Sequence, residues 1–339
     1  MLLDVVVRDW PQRVRRKGSG VRTWLTERFG LTVPLVSAPM AGVSAGRLAA
    51  AVSAAGALGM IGVSSATPAS WIEAEAAVAA RGGRPYGIGL MAWALPGNPG
   101  QFEAVLAARP PLVSVSFGPY QRYVEELRQA GVTVVTQAGT TDEARAAEQA
   151  GVDAVVARGS EAGGHGRAEV GTLPLLQSVL DAVRIPVLAA GGIATARGLA
   201  AVLAAGAEGA WVGTAFMGCA ETALSGPAAA RVLAATETDT AYGRVFDVAQ
   251  RLDWPAEYGG RALRNTFFDR WAGREAELAA DEEAAELIAA ARRDGDFDTA
   301  CVYAGEAVGM VRERRTAADV VAGFAEAATL LGRFAPPGG

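Results

Sequence analysis

The chain has 339 residues, of which 51% are hydrophobic and 42 are glycine, enough to bury a barrel-sized core linked by many tight turns. Its 36 acidic and 31 basic side chains leave a net charge of −5, which excludes a nucleic-acid surface built on a basic stripe. Cys219 and Cys301 are the two cysteines; without metal-ligand spacing or a secreted disulfide pattern they predict no metal centre and a cytoplasmic protein. The most apolar run, residues 48–63, is broken by glycine and serine and falls short of the roughly 20 residues that span a bilayer.

In chain order, a basic cluster (Arg13, Arg15, Arg16, Lys17) opens the sequence and reads as a solvated N-terminal segment, residues 1–29, with no apolar targeting stretch behind it. Short apolar, β-branched runs then recur as strands at 33–38, 57–63, 86–90, 112–117, 132–137, 153–157, 186–190 and 210–213. Helices are expected at 47–55, 69–80, 120–130, 141–150, 173–183 and 195–205, the second started by a Thr67 cap before Pro68. Four of them end in an Ala-Gly pair (Ala55-Gly56, Ala130-Gly131, Ala150-Gly151, Ala205-Gly206), where glycine at the first position past the helix is the usual stop.

Eight strand–helix units imply a parallel sheet with right-handed crossovers, and their number points to a (β/α)8 TIM barrel over residues 30–220. A doubly wound sheet is the rival, but no G-x-G-x-x-G follows the first strand. Beyond Cys219 the rhythm changes. Helices at 221–235, 275–293 and 317–331, an irregular polar stretch at 236–258 and an aromatic stripe at 261–271 predict a helical C-terminal cap over 221–339, with Phe267, Phe268 and Trp271 as packing residues.

His165 is the only histidine in the chain. It lies just past the sixth strand in G-S-E-A-G-G-H-G-R, where Gly163, Gly164 and Gly166 allow positive φ or close backbone approach, and βα loops are where barrels keep their sites. After the seventh and eighth strands come Gly191-Gly192 and Gly213-Thr214. Loops there bind phosphate through backbone amides and a helix N-terminus, with Thr195 at the cap position of the following helix. Two other readings stay open: paired glycines that only close turns, and an incidental histidine.

Four strings carry a family resemblance: A-P-M-A-G at 38–42, G-V-D-A-V-V-A-R-G-S-E-A-G-G-H-G from 151, I-P-V-L-A-A-G-G-I from 185 and G-A-E-G-A-W-V-G-T-A-F from 206. Over about residues 30–220, and again near Arg264-Asn265 and 304–311, the chain resembles the nitronate monooxygenase family, formerly 2-nitropropane dioxygenase. The resemblance implies an FMN-dependent, nitronate-oxidising enzyme that uses dioxygen to produce a carbonyl compound and nitrite. It implies FMN phosphate at Gly191, Gly192, Gly213 and Thr214, Pro39, Met40 and Ala41 along the isoalloxazine, Gln137 on its polar side, Gly163 and Gly164 beside it, and His165 as the catalytic histidine. Gly89 stands where similar proteins commonly place an asparagine toward the flavin, and Asn98 is too far along to replace it.

An imidazole that titrates near neutrality suits either donation to nitro oxygens or removal of an α-proton, and the redox chemistry belongs to the flavin. FMN- and NADPH-dependent enoyl-thioester reductases look alike over the same motifs and supply the alternative enzyme; a flavin- or phosphate-binding sensor or scaffold is the non-enzymatic one. A small-molecule substrate is expected, with Trp93, Tyr303 and Phe268 as candidates to set its size, with no nucleic-acid or membrane partner, and with a monomer or homodimer.

Overall fold

The computed structural model describes residues 21–333, so the basic cluster at 13–17 lies outside the described residues. Among the described residues eleven strands occur in chain order: β1 Leu35–Ser37, β2 Gly59–Gly62, β3 Tyr86–Met91, β4 Leu112–Ser116, β5 Thr133–Ala138, β6 Ala154–Arg158, β7 Gly164–His165, β8 Val187–Ala190, β9 Ala210–Val212, β10 Thr240–Gly243 and β11 Gly260–Leu263. Eight of them form one parallel sheet in the order β1-β9-β8-β6-β5-β4-β3-β2. A parallel bridge between Val36 and Leu58 joins the two ends, so the sheet closes on itself into a (β/α)8 barrel. Each of the eight expected barrel strands is present, the first two shortened by three residues each and those expected at 112–117, 186–190 and 210–213 by one.

Strand alternation divides the apolar side chains into two layers. Val36, Leu58, Met60, Leu112, Val135, Val156, Leu188 and Trp211 fill the barrel interior together with Leu25. Leu25 comes from a short helix, Trp24–Phe29, which plugs the N-terminal end of the barrel. The alternate strand residues, among them Leu35, Ile61, Ile88, Val113, Val134, Val155, Val187 and Val212, pack outward against the helices.

The four Ala-Gly stops are confirmed in geometry: Gly56, Gly131, Gly151 and Gly206 have φ of +96°, +80°, +82° and +108°, a region a β-carbon disfavours. The Thr67 cap is not formed. Pro68 holds the cap position of the helix Ala69–Ala80, while the Thr67 hydroxyl accepts the Ser64 amide at 2.9 Å, closing a local turn instead. Two C-terminal helices expected as single rods are each broken. Asp281 ends Glu275–Ala280 in an extended conformation and caps Glu282–Asp294, accepting the Ala284 amide at 2.8 Å, as a short acidic side chain favours. Ala317–Ala325 and Ala327–Gly332 meet at Glu326.

The expectation for 236–258 is also corrected: this stretch contains β10 and a helix, Val245–Ala249. β10, β11 and β7 form a small antiparallel sheet that ties the C-terminal third to the loop after β6. The aromatic stripe behaves as packing, with Phe267, Phe268 and Trp271 in one cluster with Phe246, Leu278 and Ile288. No helix among the described residues is long and apolar enough to cross a membrane.

Candidate functional site

Because the barrel strands are parallel, every residue just past a strand end lies on one rim. Pro39, Met40 and Ala41 follow β1, Gly89 is on β3, Gln137 on β5, Gly191 and Gly192 follow β8, and Gly213 and Thr214 follow β9. Several of these touch. A β-carbon at Gly213 would stand 3.3 Å from Met40 Sδ. The Thr214 hydroxyl accepts the Gly305 amide at 3.0 Å, and a β-carbon at Gly163 would overlap the Ala304 and Gly305 backbone. The segment near 305 is therefore pressed onto the glycine loop, with only glycine fitting. Gln137 donates its backbone N–H to the buried Ser116 hydroxyl at 3.0 Å, and its side chain makes no hydrogen bond to the others.

The packing at Gly89 explains the missing asparagine. A β-carbon there would overlap Cβ and Cγ of Pro39, so the proline ring occupies the space into which a side chain would leave the strand. Gly89→Asn is expected to destabilise the protein by about 1–3 kcal/mol, the usual cost of overpacking a dense core. Urea unfolding checks this, and parental stability would show that Pro39 yields.

His165 is built into structure more firmly than its glycine-rich surroundings suggest. Gly164–His165 is strand β7, pairing Gly260 with His165 and Arg261 with Gly164. Both roles expected of the flanking glycines occur: Gly164 and Gly166 have φ of +72° and +154°, and Gly163 permits a close approach, made here by the Ala304–Gly305 backbone. The imidazole Nε2 lies 2.7 Å from Asp247 Oδ1, and the ring stacks on Trp254 at 3.7 Å with 4° between planes. Tyr303 sits 4.9 Å from it and donates its hydroxyl to the same Asp247 oxygen at 3.0 Å. Asp247 is 1% exposed as a side chain, and its Oδ2 is buried with no partner.

Around the histidine is an aromatic wall. Trp93 and Phe117, past β3 and β4, lie 5.2 and 5.4 Å from Trp254, and Tyr258 is 5.3 Å from Phe117. Phe117 holds φ at +66°, a conformation uncommon for a large side chain and often kept where surrounding structure over-determines a site. The Trp93 indole N–H is buried without an acceptor. Of the size-setting candidates, Trp93 and Tyr303 flank the His165–Trp254 pair, while Phe268 lies inside the packing cluster against which Tyr303 also rests.

Arg158, the last residue of β6, holds the loop in shape. It is 4% exposed, and its guanidinium donates to the carbonyls of Ala162, Gly163 and Gly164 at 3.2, 3.0 and 2.9 Å and to that of Arg167 at 3.4 Å. Burial pulls its pKa down to about 10, with Tyr242 opposing that shift and Arg261 adding to it. At neutral pH it is a cation whose hydration has been replaced by backbone dipoles. A β-carbon at Gly166 would strike this guanidinium.

The β8 and β9 ends offer free backbone donors. Gly191 and Gly192 have φ of +107° and +67°. Among the described residues the amides of Gly192, Ile193 and Thr214 find no acceptor, and the helix Ala196–Ala204 begins at Thr195 without a side-chain cap. The nearby Glu161 carboxylate is already occupied, accepting the Thr172 amide and hydroxyl at 2.9 and 2.7 Å. An uncapped helix start facing open amides is the arrangement that receives an anion.

Sequence reasoning missed Asp247, Trp254, Tyr258, Phe117 and Arg158. Two left a trace. Arg158 ends an otherwise apolar buried strand, and Asp247 is a lone acid inside the apolar turn V-F-D-V-A. The aromatic residues carried no signal, because only long-range folding brings them to His165.

A (β/α)8 barrel with open backbone amides past its last two strands and an acid-linked histidine past its sixth gathers its polar groups on one rim, as barrel enzymes do. The profile of the nitronate monooxygenase family matches residues 22–95 and 94–326, and the chain belongs to that family. A nitronate monooxygenase of Paraburkholderia phytofirmans is 30% identical over 87% of this chain and 92% of its own. Among solved structures, FabK from Thermotoga maritima superposes with a TM-score of 0.82 at 29% identity, covering 92% of this chain and 98% of that one. The nitroalkane oxidase of Streptomyces ansochromogenes does so with a TM-score of 0.77 at 34% identity, covering 91% and 99%. The chain is thus an enzyme of the flavin-dependent oxidoreductase class.

Proposed function

We propose that this enzyme binds FMN and oxidises alkyl nitronates, such as propionate 3-nitronate, with dioxygen to a carbonyl compound and nitrite. The observation that carries the reading is the single histidine of the chain, hydrogen-bonded to buried Asp247 and stacked on Trp254, on the same rim as the open amides of Gly192, Ile193 and Thr214.

The residues present fit a flavin mononucleotide. The free amides and the uncapped helix start supply donors for a phosphate, with Gly191, Gly192, Gly213 and Thr214 as its holders. The Thr214 hydroxyl oxygen is engaged by Gly305, so its proton remains free to donate. Pro39, Met40 and Ala41 would line the ring, with Gly89, Gln137, Gly163 and Gly164 as its further neighbours. When bound, FMN supplies the electron acceptor that nitronate oxidation needs.

The protein's part is to bind, orient and handle a proton. His165 takes the α-proton when a neutral nitroalkane arrives, or, carrying a second ring proton as the imidazolium, donates an N–H to the anionic nitro oxygens. Trp93, Phe117, Trp254, Tyr258 and Tyr303 exclude water, which strengthens every charge interaction inside.

The test is an anaerobic titration of the purified flavoprotein, one cuvette with propionate 3-nitronate and the other with NADPH. Bleaching of the flavin absorbance by the nitronate, and its return with dioxygen alongside nitrite release, is the expected result. Rapid bleaching by NADPH with no response to the nitronate would replace this reading with the enoyl-thioester reductase.

A further inference from the structure

We infer that Asp247, itself fixed by Tyr303, is a positioning residue that locks His165 with its proton on Nε2 and thereby makes Nδ1 the atom that meets substrate. Both residues come from outside the barrel, from the helix Val245–Ala249 and the segment that presses on the glycine loop.

Tyr303 donates to Asp247 Oδ1 at 3.0 Å. Burial, foremost, together with the neighbouring Cys301 and Asp247, raises the Tyr303 hydroxyl well above its usual pKa, so it keeps the proton it donates. Oδ1 therefore already acts as an acceptor, and Oδ2 has no acceptor to which it could give a proton. A carboxylate in this position accepts from both sides, so the proton in the 2.7 Å contact with His165 belongs to Nε2. The Nε2 edge is closed: a β-carbon at Gly260 would stand 3.3 Å from that atom. One ring face is covered by Trp254. The imidazole keeps 9% of its side-chain surface open, and Nδ1 has no protein partner among the described residues.

The lock also restricts motion. Backbone pairing of β7 to β11, the flat stack on Trp254 and the bond to Asp247 fix the ring in position and in rotation. A base so held needs no reorganisation when substrate arrives, and misplacement by about 1 Å is enough to cost roughly 100-fold in rate.

The role given to Nδ1 rests on the proposed use of His165 in turnover; the position of the proton does not, and the two are separable in one protein. Because His165 is the only histidine, flavin-loaded protein labelled with 15N-histidine gives a single imidazole spectrum that needs no assignment among residues. At a pH where the ring is neutral, the expected spectrum shows the proton on Nε2, downfield of a free imidazole N–H and slow to exchange with water, with Nδ1 unprotonated. A proton on Nδ1, or an Nε2 proton that exchanges as in free imidazole, overturns the inference. Asp247→Ala should abolish the protected resonance and lower kcat for the nitronate by about 100-fold with flavin content unchanged; unaltered kcat with full flavin content would remove the positioning role. If the variant does not fold, the spectrum of the unaltered enzyme still decides. A protected Nε2 proton in an enzyme that ignores nitronates would overturn the proposed function and leave the hydrogen bond standing.

Discussion

His165→Asn leaves the protein folded and flavin-loaded and lowers nitronate turnover by about 100- to 10,000-fold, the range over which a positioned acid or base contributes. The shorter amide cannot span the 2.7 Å contact to Asp247 from the same backbone, and it gives up the flat stack on Trp254. Asp247 keeps the Tyr303 hydroxyl, so stability falls by about 1–3 kcal/mol, the cost of one unmade buried hydrogen bond, instead of collapsing. Flavin content should hold because the donors proposed for its phosphate belong to the β8 and β9 ends and not to β7. Steady-state nitrite release, with flavin absorbance as the control, is the measurement; turnover equal to the parent's would remove His165 from the reaction.

The second large effect is expected at Arg158, which touches neither the histidine nor the open amides. Arg158→Met keeps the buried aliphatic volume and removes the guanidinium, leaving the carbonyls of Ala162, Gly163 and Gly164 without the donor they share. Against this, the folded state no longer has to desolvate a cation. The carbonyl loss dominates because three acceptors are orphaned at once, each costing about 1–3 kcal/mol when buried, so a net loss of about 2–4 kcal/mol is expected. The loop also loses the tie that sets the direction of β7. kcat should therefore drop more than global stability alone explains, and amide exchange should accelerate at 162–167 before the barrel strands open. Undisturbed exchange in that loop would mean that the β7 pairing suffices to hold it.

These two effects differ in how visible they are without a fold. His165 stands out in the sequence because it is unique and lies among glycines past a valine-rich strand. Arg158 sits two residues beyond the valines of that strand and reads as its polar end; its role depends on the chain turning back so that four carbonyls face the guanidinium. Gly163 is an intermediate case. Its sequence setting announces a need for glycine, but the reason is the pressure of Ala304 and Gly305, some 140 residues away in the chain.

What the sequence alone determined was the part written in local physics. Short apolar, β-branched runs defined the eight barrel strands, and Ala-Gly pairs marked where four of the helices end. What only the tertiary structure decided was which partners meet. The 236–258 stretch lacks a clean period because its elements are a four-residue strand and a five-residue helix, too short to show one, and their stability comes from packing and not from propensity. Asp247 and Trp254 thus reach His165 through an antiparallel pairing between β7 and β11 that no local pattern encodes, since two residues of strand carry almost no register information by themselves. The histidine of the loop was legible in the chain; the acid, the phenol and the indole that hold it were placed by folding.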